Sequence, residues 1–572
     1  MTEYHVSPMP FDVPDDLTIP QFILSTDASS TRPTRPSHVP WLVEDASGRG
    51  IHFDELKART SALANALHVK WAIGENDVVC VFSPNDVDYP VAVWAVHTLG
   101  AVVTPANPGY TVKELVFQLK ATSASLLICH SACLKTAQEA AKEAGLSASR
   151  VIVVNRDGGP LSGVHTLEDL VVFGKSQSTS YKERRFVPGE AKKKLAFLSF
   201  SSGTTGTPKA VAISHYALIA NVLQMAVHNR VADPHWKDKR MVPGDVAMAV
   251  LPFFHIYGLV VNLHYSLFCG MSVVVIPKFN FLDFLKSISR HKITHLFVVP
   301  PQIVLLCKHP AVRSYDFSHV KYCMSGAAPL SGELMKTVSK VLPNACVGQG
   351  YGLTETCTTV TMVPPHQRFA TIGSAGQLLP GITARVVKAD GTMAKQGEPG
   401  ELVLTGPSMA MCYYNNDAAT KETFINGWVR TGDEVIIKNN EVYVVDRIKE
   451  IMKVRGYQVA PAELEGHLLL HEDVLDVCVV GIPDEYSGEL PLAFVVPQPK
   501  VASKLKCPQE TLKLKKRLAK HVADAKVPYK WLAGGVEFID AIPKNPSGKV
   551  LRRILRDQAK TMKREVVYEA KL

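Results

Sequence analysis

At 572 residues the chain exceeds what one hydrophobic core supports, so roughly two to four structural units are expected. Its 46% apolar and 20% charged residues exclude a disordered or fibrous chain, and its eleven cysteines, without CxxC pairs or Cys/His clusters, read as reduced thiols rather than a disulfide framework or zinc site. The net charge of +10 is uneven, with 23 Lys+Arg against 16 Asp+Glu from Arg447 onward, so +7 of it falls in the last 126 residues; without interleaved aromatics or a nucleic-acid motif this reads as a solvated face whose field suits a small polyanion.

The opening MTEYHVSPMPFDVPDDLTIP is acidic and Pro-rich and lacks the basic start and apolar run of a signal peptide. Short apolar runs follow: DVVCVFSP, AVVTPANP, SLLICHS, RVIVVN, KLAFLSFS, HLFVVPP and VKYCMSG read as buried strands. Between them ELVFQLKATSA and KTAQEAAKEAG read as helices, giving α/β layering with largely parallel sheets. Between Asp245 and Lys278 no Asp, Glu, Lys or Arg occurs, a length compatible with a membrane span. Pro252, Gly258 and Gly270 interrupt it and MSVVVI is a β-branched strand pattern, so a buried strand–loop–helix–strand is expected instead. From about Pro380 the texture changes: ARVVKADG, GELVLTG and NEVYVVD read as a small antiparallel unit, and a mixed α+β stretch follows VVDRIKE. The basic helical run KLKKRLAK lies in that last part. The expected fold class is α/β: a large N-terminal region (1–446) of two α/β sheet units plus a small β unit, and a small mobile α+β C-terminal domain (447–572).

Six polar, Gly-rich stretches stand at the ends of apolar runs, where open α/β sheets place ligands. SFSSGTTGTPKAV offers the hydroxyls of Ser201, Ser202, Thr204 and Thr205, backbone freed by Gly203 and Gly206, and the charge of Lys209. These suit a phosphate, though the spacing is not that of the common P-loop and a plain Ser/Thr/Gly turn remains the other reading. LPFFHIYG sets His255 among aromatics, where a satisfied core histidine is the ordinary outcome. In MSGAAPLSGEL, Gly326, Ala327 and Ala328 allow a planar ring near the backbone, or the stretch is a helix start capped by Ser325 or Ser331. GQGYGLTET supplies Tyr351, Thr354 and Glu355, the last an oxygen ligand suited to Mg²⁺. In GWVRTGD, Asp433 is placed to accept both hydroxyls of a ribose. PKNPSGKVLRR puts Lys549 on a loop that, alone, reads as surface.

In this order the stretches resemble the adenylate-forming superfamily: acyl- and aryl-CoA ligases, beetle luciferases and peptide-synthetase adenylation domains. The likeness runs from about residue 50 to 555 and includes TGD, DRIKEIMKVRGYQVAPAELE and PSGK. Departures are mild: Ala210 for a frequent glycine, Ser199-Phe200 for Pro-Tyr, and Arg455 for lysine.

The resemblance implies ATP, CoA and Mg²⁺ as cosubstrates and cofactor. It implies that the Ser201–Gly206 loop with Lys209 lies along the β- and γ-phosphates, that Thr354 reaches the α-phosphate and that Glu355 holds the metal. Gly326, Ala327, Ala328 and Pro329 with Gln349, Gly350, Tyr351 and Gly352 would frame the adenine, and Asp433 and Arg447 the ribose. Lys549 would serve adenylate formation. Rotation about a hinge at Lys449 would then replace it by Lys453 and Gln458, with Gly456 and Tyr457 on the CoA path. His255, Ile256, Tyr257, Gly326 and Gly350 would line the acid pocket. FHIYG and GQGYG resemble 4-coumarate–CoA ligases most, so an aryl acid of cinnamate or phenylacetate type is expected; a medium-chain fatty acid, luciferase-like chemistry and a carrier-protein partner are the alternatives. The final Ala570-Lys571-Leu572 resembles a peroxisomal address read by the import receptor, and otherwise the cytoplasm is expected.

Overall fold

Parallel strands buried on both faces must be apolar throughout, and the runs picked out above form two such sheets. In the computed structural model, described here for residues 3–25, 31–154, 164–201, 208–502, 505, 507–545 and 548–562, one sheet has eight strands. Its parallel centre is Val102–Ala106, Val78–Phe82, Leu126–His130 and Val151–Val154, almost wholly buried. At one edge the antiparallel pair Leu195–Ser201 and Lys209–Ser214 extends it. The second sheet has seven strands, parallel from Cys346–Gln349 through Tyr322–Ser325, His295–Val298, Val246–Ala249 and Ser272–Val275 to Leu42–Glu44. Helices such as Val112–Ala121, closed by a Thr111/Glu114 capping box, and Leu134–Ala144, ended by Gly145 at φ 84°, cover the first sheet.

The charge-free stretch is core. Strands Val246–Ala249 and Ser272–Val275 flank a fully buried π-type helix, Gly258–Tyr265. Among the described residues no helix is long and apolar enough to cross a membrane.

The antiparallel unit expected after Pro380 is a six-stranded sheet containing Thr383–Val387, Pro399–Thr405, Trp428–Lys438 and Glu441–Arg447. Sequence patterning missed its outer strand: Tyr4–His5, at the start of the chain, pairs with Thr383–Val387. A two-residue strand carries no periodicity to detect. Helix Ile19–Leu24, capped by Thr18 and Gln21, then ties the N-terminal segment into the main core.

After Arg447, residues 448–451 lead into a five-stranded sheet with its own core, built on the long hairpin Val474–Asp484/Gly488–Pro497. The basic run falls in helix Pro508–Ala523, whose Leu514, Leu518 and Val522 face inward. Lys515, 8% exposed, is neutralised by Glu537 at 2.8 Å, and the other lysines face solvent. The expected α/β class, with a large N-terminal region and a smaller α+β C-terminal one, is the one observed.

Candidate active site

The carboxyl ends of both parallel sheets, the antiparallel sheet and the last loop converge on one cavity of about 730 Å³. At one end stands the hairpin of the Ser/Thr/Gly stretch. Its strands pair Ser201 with Lys209, so the mouth of the loop is fixed by two residues facing one another. The loop itself, with Ser202, Gly203, Thr204, Thr205 and Gly206, lies outside the described residues. Beside Ser201 sits Glu355, in the single turn Thr354–Thr356. Ser201 Oγ donates to Glu355 Oε1 at 3.0 Å and the Tyr413 hydroxyl to the same oxygen at 2.8 Å. Lys209 Nζ lies 4.9 Å from the Tyr413 ring centre.

This turn is conformationally costly. Cys357 and Thr358 follow it at φ 52° and 99°, the second an outlier for a β-branched side chain. Gly352 is obligatory here, because a Cβ would lie 1.5 Å from the Thr358 carbonyl oxygen. Strain of this kind, about 1–3 kcal/mol per residue, persists where the surroundings over-determine the backbone.

On the far wall the strand pair Trp428–Lys438/Glu441–Arg447 sets Asp433 opposite Arg447. Tyr351 donates its hydroxyl to Asp433 Oδ2 at 2.7 Å, and Arg447 Nε lies 3.5 Å from Oδ1. Burial raises the Asp433 carboxyl above its usual value, opposed by Arg447 and the Tyr351 bond. Gly326, Ala327, Ala328 and Pro329 leave the strand Tyr322–Ser325 along the same wall, with Ala327 at φ 68°. The helix-start reading of that stretch is also right: Ser331 caps helix Gly332–Val341 through the Leu334 N–H. Gln349 holds this loop in place, accepting from the Leu330 N–H at 2.6 Å and donating to the Ser374 carbonyl at 3.3 Å. Its side chain supports the loop while also bordering the cavity.

His255, Ile256 and Tyr257 line the third wall. Burial, with Lys549 nearby, lowers His255 to about 4, so the ring is neutral near pH 7. Tyr257 donates its hydroxyl to the Met324 carbonyl at 3.1 Å. Gly326 and Gly350 both border the cavity, and each has a side chain of the protein packed against it. A Cβ on Gly326 would meet the Tyr257 ring at 2.8 Å, and one on Gly350 would meet Met324 Sδ at 2.8 Å. The protein's own side chains occupy the space that the glycines vacate.

Lys549, expected from its loop context to be a surface residue, is largely withdrawn into the cavity. The tight turn that carries it is closed by Asn545, which accepts from the Lys549 N–H on Oδ1 and donates its own N–H to the Lys549 carbonyl, both at 2.9 Å. Burial, then Arg447, lowers its ammonium to about 8, with Asp433, Glu355 and Glu450 acting in the opposite sense. Lysine 549 is therefore felt electrostatically by both His255 and Asp433. Lys449 also borders the cavity.

Four sequence-derived residues lie elsewhere. Lys453, Gly456, Tyr457 and Gln458 belong to the hairpin Met452–Val454/Tyr457–Val459, outside the cavity lining. Arg455 and Gly456 form its two-residue turn at φ 51° and 81°. Tyr457 stacks on Tyr529 at 4.4 Å, and the Gln458 amide, oriented to satisfy its neighbours, donates to Glu434 at 3.2 and 3.3 Å. Conversely, Tyr413 and Glu401 were not foreseen. Glu401 accepts from the Gly432 N–H at 3.2 Å and pairs with Arg430, bracing the turn that carries Asp433. A lone tyrosine 58 residues from its partner gives no local signal; a glutamate opening a strand, as in GELVL, is only a weak one.

Asp433 beside Arg447, Glu355 bonded to Ser201 and Lys549 drawn in among them give the cavity charged groups of both signs. The AMP-binding enzyme family model matches residues 28–414, and the AMP-binding enzyme C-terminal domain model residues 463–549. The chain belongs to the AMP-binding enzyme family, as an AMP-forming acid–CoA ligase that works through an acyl-adenylate. It is 34% identical to 4-coumarate–CoA ligase 2 of Oryza sativa subsp. japonica over 95% of this chain and 93% of the relative. It is 32% identical to an acyl-CoA ligase of Alternaria alternata over 97% and 96%. Among solved structures, ATP-bound MatB from Rhodopseudomonas palustris matches with a TM-score of 0.79 at 25% identity, covering 95% of this chain and 99% of that one. The anthranilate–CoA ligase AuaEII, in complex with anthranoyl-AMP, shares the fold with a TM-score of 0.82 at 22% identity over 96% and 98%.

Proposed function

We propose that the protein joins an aryl carboxylic acid of 4-coumarate, cinnamate or phenylacetate type to CoA. The observation that carries the reading is the position of Lys549, withdrawn into a cavity walled by Asp433–Arg447, Glu355 and His255–Tyr257. The acid carboxylate attacks the α-phosphorus of ATP and pyrophosphate leaves. The CoA thiolate then attacks the acyl carbon and AMP leaves. Negative charge builds on the α-phosphate in the first step, and a desolvated lysine stabilises it far better than one in water.

Asp433, with its Oδ atoms set by Tyr351 and Arg447, accepts the ribose hydroxyls. Lys209 and the loop above it hold the outer phosphates, and Thr354 reaches the α-phosphate. Among the described residues both hydroxyl bonds to Glu355 go to Oε1, and Oε2 would be the ligand to Mg²⁺. One carboxylate plus phosphate oxygens is the ordinary Mg²⁺ set, and a bound ion would supply neutralisation of phosphate charge there. Neutral His255 orients the acid at the adenylate carbonyl. The aryl preference is supported by the walls, in which Phe254, Ile256, Tyr257 and Met324 face the ligand space, and by the 4-coumarate–CoA ligases among the relatives.

The hairpin of Lys453, Gly456 and Gln458 lies away from the cavity while Lys549 is in it. Rotation at Lys449 of a C-terminal domain beginning at residue 447 would exchange them for the thioester step. The final Ala570-Lys571-Leu572, outside the described residues, extends the proposal to import into the peroxisomal matrix. A fluorescent protein ending in these residues should become punctate, and removal of Leu572 should disperse it.

Pyrophosphate release with Mg-ATP, across cinnamates, phenylacetate and fatty acids with and without CoA, tests the reading. A strong signal with aryl acids is expected. A signal with fatty acids alone would overturn the substrate class, and release that CoA does not accelerate would point to another acceptor.

A further inference from the structure

Helix Pro461–Leu468 of the C-terminal region carries a glycine near its end, at position 466. Glycine in a helix is unfavourable by about 1 kcal/mol relative to alanine, so its presence needs a packing reason. The reason lies across the chain: a Cβ on Gly466 would meet Ser331 Cβ at 2.8 Å, a distance at which something must shift. Ser331 is the cap of helix Gly332–Val341 and directly follows the Gly326–Leu330 loop that walls the cavity.

A second contact lies on the same side. Lys308, the last residue of helix Pro300–Lys308, is half-buried and donates its ammonium to the Val474 carbonyl at 2.6 Å. A third involves the Lys549 turn itself, where a Cβ on Gly548 would lie 3.0 Å from Val299 Cγ2. Val299 precedes that same Lys308 helix. The turn that inserts Lys549 and the two seats at Gly466 and Lys308 therefore rest on one face of the N-terminal region.

We infer that Gly466 and Lys308 are positioning residues that seat the C-terminal domain so that Lys549 enters the cavity. Neither touches the ligand space. Gly466 sets how closely the two regions approach, and Lys308 fixes the lateral register through a single charge-assisted bond to backbone. The inference rests on the ligase reading above for its half-reaction logic. It predicts a selective defect: the step that needs Lys549 suffers, and the step that needs it withdrawn does not.

The test compares wild type with Gly466→Gln, Gly466→Gln/Ser331→Gly, Lys308→Met and Lys308→Arg. Glycine at a helix cap costs only a few tenths of a kcal/mol, so Ser331→Gly clears the contact without losing the helix. Two rates are read: pyrophosphate release from Mg-ATP and acid without CoA, and thioester formation from supplied acyl-adenylate and CoA. Gly466→Gln should lower the first about ten- to hundred-fold and leave the second within about two-fold. The Ser331→Gly second change should return the first rate to within about five-fold of wild type. Lys308→Met should lower it about three- to ten-fold, with Lys308→Arg restoring most of the loss.

Trypsin cleavage after Arg447 and Lys449 supplies a readout that needs no substrate. Gly466→Gln should be cut faster than wild type, and the double variant at nearly the wild-type rate. Equal loss in both half-reactions overturns the inference. So does failure of the Ser331 rescue in variants that keep wild-type circular dichroism and melting temperature. A wild type silent toward every acid, with the expected cleavage pattern, overturns the substrate reading and leaves the seating in place. Normal activities with uniform cleavage overturn the seating alone.

Discussion

Lys549 makes a quantitative prediction about pH. Its ammonium is lowered to about 8, chiefly by burial and then by Arg447, from an ordinary 10.5. In the role proposed for it, Lys549 serves adenylate formation as the charged form. A group at about 8 is roughly nine-tenths charged at pH 7 and one-tenth at pH 9, whereas an unshifted lysine stays charged across that range. The kcat/KM for ATP, measured by pyrophosphate release without CoA to keep the thiol's own ionisation out of the assay, should therefore fall about tenfold per unit above pH 8. Bound phosphates favour the ammonium, so the corresponding limb in kcat should lie at higher pH. Lys549→Arg should remove the limb together with much of the rate, because a guanidinium does not titrate in this range. Lys549→Ala should lose adenylation while sparing thioester formation from a supplied adenylate, and Lys453→Ala should do the reverse. A profile flat to pH 9.5 in the wild type, or the same limb retained in Lys549→Arg, would refute the assignment of the limb to this lysine.

Three further outcomes are expected. Glu355→Gln keeps shape and hydrogen-bond acceptance but loses charge, so pyrophosphate release should drop about a hundred-fold and half-saturation should require more Mg²⁺; an unchanged Mg²⁺ dependence would contradict the metal role. Tyr257→Phe should cost about 1 kcal/mol by removing the buried bond to the Met324 carbonyl, seen as a small fall in Tm, and should slow acids with and without ring hydroxyls alike; a loss confined to phenolic acids would instead assign the hydroxyl to substrate. Burial holds His97 at about 3, His228 and His264 at about 4, and His215 well below its usual value. The unfolded chain takes up protons first, so stability is full above pH 6.5 and is lost as pH falls toward these lowered values, by up to about 1.4 kcal/mol per histidine per unit. Asp433, Glu434 and Glu465, raised by burial, act in the opposite sense. Urea midpoints between pH 7.5 and 5 should fall steadily, and a flat profile would contradict the buried neutral rings.

Much of this was legible because the two parallel sheets consist of runs too short and too apolar to be anything but buried strands. The charge-free segment also resolved correctly, since its Pro and Gly breaks argued against a span. What stayed hidden was non-local. Tyr4–His5 becomes a strand only because Thr383–Val387 offers an open edge. Tyr413 becomes a site residue only because the end strand Cys412–Tyr413 brings it to Glu355. Loop composition alone reads Lys549 as surface, since it reports neither the domain it packs against nor the burial that follows; only the order of the motifs marks it for adenylate formation.

The glycines show a subtler limit, and it bears on specificity. In sequence, Gly326 and Gly350 mark places where something approaches the backbone closely, but they do not say what approaches. Here it is Tyr257 and Met324. The space beside these glycines is therefore set by two side chains, and in the proposed acid pocket their rotamers and identities can change without touching either glycine. Met324→Ala should open the space above Gly350, raising kcat/KM for acids with bulkier rings relative to cinnamate by about tenfold, while the buried truncation costs about 2–5 kcal/mol of stability. Gly350→Ala should close the pocket only while Met324 remains, so the double variant should recover activity that the single one loses. Additive losses would show that the glycine, and not the thioether packed on it, sets the pocket floor.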